Sequence, residues 1–98
     1  MNIHEWAAEQ CGVLVYDPND YEYAKLGKFW TYNGVGYYTE WTLDDARCRE
    51  IVREHFKIDT YFSIDMWLSG RADASEHYAG KTIAEAEINC IKALEAQK

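Results

Sequence analysis

Residues 58–68 read with a period of two. Ile58, Thr60, Phe62, Ile64, Met66 and Leu68 fall on one side of an extended chain, with Asp59, Tyr61, Ser63, Asp65 and Trp67 on the other. A period of two does not suit a helix, and a lone strand leaves its backbone polar groups unpaired, so the stretch demands partner strands. One partner is read just downstream. Ser69-Gly70-Arg71-Ala72-Asp73 has loop composition, and residues 74–79 can return along the strand. A second pairing signal lies upstream, where residues 29–32 and 35–38 flank Asn33-Gly34, a dipeptide suited to a type I′ hairpin. Residues 13–16 form a short apolar run, and Asp17-Pro18-Asn19-Asp20 after them is turn chemistry.

Three segments switch to helical spacing. Ile3, Trp6, Ala7 and Cys11 share a face behind the capping pair Asn2 and Glu5, and Gly12 supplies a left-handed stop. The second helix is expected to open at Thr42 with Asp45 as its capping partner. Its apolar stripe is Cys48, Ile51, Val52, His55 and Phe56, opposite Arg49, Glu50, Arg53, Glu54 and Lys57. The third opens at Thr82 with Glu85, on a stripe of Ile83, Ala86, Cys90, Ile91 and Leu94. These elements predict an α+β fold in α-β-β-α-β-β-α order, a mainly antiparallel sheet with helices packed on it. At 98 residues the chain is read as one domain, 1–98.

Seventeen acids against ten bases leave a charge of −7. That field repels phosphate backbones, so direct nucleic-acid binding is disfavoured, and it attracts a basic groove. Residues 1–11 lack the apolar run of a signal peptide, and no apolar stretch approaches the ~20 residues that span a bilayer, so no membrane association is expected. Cys11, Cys48 and Cys90 are odd in number, sit on three predicted helices and show no C-x-x-C spacing. Reduced thiols in a cytoplasmic protein fit that pattern.

The usual catalytic constellations are not expected. His4, His55 and His77 fall on three elements, without the spacing that builds a zinc site. His55, within an apolar stripe, reads as a hydrogen-bonded core histidine. Cys48 and His55 lie two helical turns apart, about 10 Å, too far for a nucleophile and its base. Gly34-Val35-Gly36 precedes a strand, where a phosphate loop would precede a helix. Asp65 alone merits a check as a general acid, which would need an apolar cleft. No enzyme activity, metal or cofactor is therefore predicted.

The acids carry the remaining signal. Asp44, Asp45, Glu50 and Glu54 line the second helix, Asp59 and Asp65 share a strand face, and Asp73 and Glu76 follow. Alternate strand positions are about 6.6 Å apart, close to twice the rise per nucleotide of one DNA strand, so carboxylates there can stand in for phosphates before Arg and Lys. These eight are the candidate partner-binding residues. The competing reading is a solvated surface on which Arg49 and Arg53 neutralise their neighbours.

Three stretches resemble a family of small phage and prophage proteins described as an α-β-α (ABA) sandwich. They are the step Cys11-Gly12-Val13 after the first helix, Trp41-Thr42-Leu43-Asp44-Asp45-Ala46 before the second, and Ala79-Gly80-Lys81-Thr82-Ile83-Ala84-Glu85-Ala86 opening the third. The family's closing helix often carries proline near its start, and Thr82-Ile83-Ala84-Glu85 has none. The resemblance implies the fold and a phage origin. With size and acidity it is similar to anti-CRISPR proteins that imitate DNA. The implied role is inhibition of a type I (type I-F) Cascade-like complex in the host bacterial cell, through the basic groove of its Cas proteins. The alternative is an accessory interaction protein of the phage, as a homo-oligomer such as a homodimer, with an aromatic interface at Trp67, Tyr61 or Tyr37-Tyr38.

Overall fold

The protein is described from a computed structural model that covers residues 2–16 and 28–97. The expected turn at Asp17-Pro18-Asn19-Asp20 lies outside the described residues. Its elements are α1 (Ile3–Cys11), β1 (Leu14–Tyr16), β2 (Phe29–Tyr32), β3 (Val35–Tyr37), α2 (Ala46–Phe56), β4 (Ile58–Ser63), β5 (Met66–Arg71), β6 (Tyr78–Gly80) and α3 (Ile83–Ala96). The α+β class holds, and among the described residues all strand pairs are antiparallel and each strand group has three members in place of two. The chain divides into two compact units, Met1–Thr42 and Leu43–Lys98.

In the first unit Asn2 caps α1 as its spacing predicts. The Glu5 N–H donates to Asn2 Oδ1 at 2.8 Å, and Asn2 Nδ2 returns a bond to Glu5 Oε1. Gly12 ends the helix at φ 74°, a left-handed conformation that a Cβ would penalise. The sheet runs β1-β2-β3, and the Asn33-Gly34 turn has positive φ at both residues, as a type I′ hairpin requires. Trp30 is its buried centre, stacked on Tyr37 and edge-on to Trp41. The indole N–H groups of these two tryptophans have partners: Trp30 Nε1 donates to Thr39 Oγ1, and Trp41 Nε1 to the His4 carbonyl.

In the second unit α3 packs on β4, β5 and β6, and α2 packs on α3 and β4. Leu43, Cys48, Ile51, Val52, Ile58, Ala86, Cys90 and Ile91 are buried here. The expected long strand, 58–68, is a hairpin. Ile64 and Asp65 form a two-residue loop between β4 and β5, which pair from Ile58 with Arg71 to Ser63 with Met66. Partner numbers sum to an odd value, so even residues of β4 share a face with odd residues of β5. Trp67 therefore joins Thr60 and Phe62, while Met66 and Leu68 join Asp59, Tyr61 and Ser63. β5 runs through Ser69, Gly70 and Arg71, expected as loop, and the third strand is 78–80 in place of 74–79.

Thr82 caps α3 as expected, its hydroxyl accepting from the Glu85 N–H at 3.1 Å. The start of α2 differs. Residues 43 and 44 form a turn, and Asp45 itself is the cap, accepting from the Arg47 N–H at 2.8 Å. Thr42 is therefore not the first capping residue, because Leu43 is drawn into the core one residue later. Asp45→Ala should cost about 1 kcal/mol by loss of this bond and of a charge at the helix N-terminus. A urea denaturation followed by circular dichroism would show it.

Candidate interaction surface

The eight candidate acids all lie in the second unit, but in different settings. Glu50 and Glu54 are exposed one turn apart on α2, about 6 Å along its axis. Asp44 is exposed in the turn before the helix, whereas Asp45 is half-buried and spent as its cap. Asp59 is exposed near the start of β4, and Asp65 is in the hairpin loop at the opposite end. The two are about 15 Å apart, and because the chain reverses after Ser63 they do not share the alternate-position lattice that an unbroken strand would provide. Asp73 sits 3.6 Å from Arg71 Nε. Glu76 accepts from the Tyr78 hydroxyl at 2.9 Å, and this hydrogen bond pushes the phenol's pKa up.

Arg49 and Arg53 do not neutralise their neighbours on α2. Both turn to Glu87 of α3: Arg49 Nε donates to Oε1 and Arg53 Nη1 to Oε2, each at 2.9 Å. Glu87 is 2% exposed and Arg49 8%, so this pair is taken out of water. Thr60 adds a third donor to the carboxylate at 2.8 Å and shares a bond with Ser69, while Arg49 Nη1 donates to the Leu43 carbonyl. Three donors on one buried carboxylate join α2, α3 and β4. Glu87 was legible in principle, because it stands four residues after Ile83 and four before Ile91, on the apolar face of its helix.

The histidines and cysteines occupy separate settings. His55 is exposed in the last turn of α2, edge-on to the ring of Phe56 at 4.7 Å. Its place in the stripe does not bury it, because stripe position matters only where another element covers the helix. Cys48 is buried, so the two share no site. Burial raises the Cys11 thiol to about 11 and moves Cys90 upward as well, which suppresses the reactive thiolate. His77 approaches Tyr61 edge-on at 5.7 Å, and its Nδ1 lies 3.1 Å from the Ser75 carbonyl. Asp65 stands exposed in its hairpin loop and is not enclosed in a cleft.

Two further features stand out. In the first unit a cleft of about 330 Å³ is lined by His4, Tyr16, Phe29 and Trp41, with the Lys28–Glu40 ion pair at 3.0 Å. In the second unit the β4–β5 hairpin carries apolar side chains into solvent: Ile64 is 96% exposed, Phe62 57% and Tyr61 43%. Ile64 also has φ 59°, which a β-branched residue adopts only at a cost. Among the described residues no group of His, Cys, Asp and Glu could hold a metal, and no helix is long and apolar enough to cross a membrane.

No protein-family model, curated protein or solved structure matches the chain.

Proposed function

We propose that this protein is a non-catalytic binding protein whose acidic surface occupies the basic groove of a nucleic-acid-handling complex and competes there with DNA. The observation that carries the reading is the inward turn of Arg49 and Arg53 onto Glu87. It leaves Glu50 and Glu54, one turn apart and exposed, without the two cations nearest them in sequence. Exposed carboxylates spaced about 6 Å apart can meet Arg and Lys side chains that otherwise grip phosphates. Asp59, Asp44 and Glu76 extend the same sign over the unit. The resemblance to small phage proteins directs the choice of complex to a type I-F surveillance complex.

The test is DNA binding by that purified complex, with and without this protein, across a salt series. Blockade that weakens as salt rises supports the reading, because contacts between charged surfaces are screened. The double change Glu50→Lys with Glu54→Lys should weaken blockade at least about tenfold while leaving the melting temperature unchanged. Unimpeded DNA binding at low salt, with no co-elution, would overturn it for this complex.

A second reading, an accessory interaction protein, draws on the solvent-facing Phe62 and Ile64. It is marked by partner binding that persists at high salt.

A further inference from the structure

The tip of the β4–β5 hairpin is apolar and stands clear of the third strand. Among the described residues β6 pairs only with Trp67, Leu68 and Ser69, so past the Phe62–Trp67 pair the ribbon is two strands wide. Ile64, Phe62 and Met66 are exposed there, and the half-buried Trp67 ring meets Phe62 edge-on at 5.3 Å. Ile64 is also the wrong residue for its backbone. In the two-residue loop φ is positive at Ile64 and not at Asp65, the type II′ pattern whose first position favours glycine. The chain's other two-residue loop, Asn33-Gly34, carries residues that tolerate positive φ. With its side chain almost wholly in solvent, Ile64 gains little packing to offset the strain. A residue that the fold disfavours and hardly packs is a sign of use outside the fold.

We infer that Ile64 is an anchor, flanked by Phe62 and Met66, that enters an apolar pocket on a partner protein, with a cation at the pocket rim answering Asp65. The inference rests on the proposed function, to which it adds a second contact with the same partner, separate from Glu50 and Glu54. Charge selects the occupant. Residues 58–70 include Asp59 and Asp65 and no lysine or arginine, and the chain carries −7. That sign opposes anionic lipid headgroups and a second copy of the chain, and it favours a protein whose groove presents cations. One aliphatic side chain seated in a pocket and ringed by apolar neighbours is the arrangement in which a few residues carry most of an affinity.

The experiment measures the Kd for the purified type I-F surveillance complex across a salt series. The proteins compared are the unaltered chain, Ile64→Gly, Ile64→Val, and Glu50→Lys with Glu54→Lys. Ile64→Gly should raise Kd at least about tenfold, by the same factor at every salt concentration, because apolar contact is not screened. Ile64→Val should stay within about threefold. The factor for the charge reversal should shrink as salt rises. The melting temperature of Ile64→Gly should rise, since glycine relieves the positive φ, which separates lost binding from lost folding. Binding indifferent to Ile64→Gly overturns this inference and leaves the acidic contact standing. An unaltered chain that does not bind the complex overturns both. A lower melting temperature for Ile64→Gly removes the strain on which the anchor was argued and overturns it. So does co-sedimentation with phosphatidylcholine vesicles that Ile64→Gly abolishes, which would assign the tip to a lipid surface.

Discussion

Glu87→Ala is expected to cost about 3–5 kcal/mol, the penalty for leaving a buried cation without its counter-ion. Arg49, 8% exposed, would keep its charge with only the Leu43 carbonyl to answer it. Thr60 would also lose its carboxylate acceptor. Because a domain holds only about 5–15 kcal/mol in total, the variant should sit near the edge of folding at room temperature. Urea denaturation followed by circular dichroism gives the magnitude. The cost belongs to the broken arrangement, not to the net value of the ion pairs. Replacing the whole group by apolar residues of similar volume, Arg49→Met, Arg53→Leu and Glu87→Met together, should therefore recover most of the loss. Arg53 alone should matter less, because its side chain is 38% exposed and water can take over its solvation.

Gly80→Ala is expected to be comparably damaging, at about 3 kcal/mol, for a steric reason. A Cβ on Gly80 would stand 2.3 Å from the Ala86 nitrogen and 2.8 Å from the Glu85 carbonyl carbon. These are main-chain atoms in the first turn of α3, so relief requires the helix to move away from β6. Gly36 offers a contrast. A Cβ there meets the tip of the Phe29 ring at 2.9 Å, and a side chain can swing aside. Thermal melts of the two alanine variants should place Gly80→Ala well below Gly36→Ala.

The features legible in the sequence are those decided over three or four residues. Asn2 with Glu5, Thr82 with Glu85, and Asn33-Gly34 act through bonds or backbone preferences that involve no distant partner. The α2 start was displaced because a buried Leu43 outweighed an equally plausible cap at Thr42. The hairpin at Ile64 and Asp65 was hidden for a different reason. Its first residue has none of the usual turn chemistry, and alternation continues through a two-residue loop while the chain reverses. Positions of the eight acids were readable, but their grouping depended on that reversal, which places Asp65 in the loop and off the strand face that carries Asp59. Spacing alone puts Glu87 on the apolar face of its helix, but its partners Arg49 and Arg53 required knowing that α2 faces α3, information carried by no local pattern.

Helices α1, α2 and α3 carry one cysteine each, Cys11, Cys48 and Cys90, and each thiol is at least partly shielded. An alkylating reagent therefore reacts slowly with the closed protein and faster when the helix around a given thiol opens, the contrast being sharpest for the buried Cys48 and Cys90. Brief pulses of such a reagent, with the labelled peptides weighed by mass spectrometry, turn these side chains into three native clocks. One clock ticks in the first compact unit and two in the second. Their relative rates measure directly whether the two units breathe together or separately.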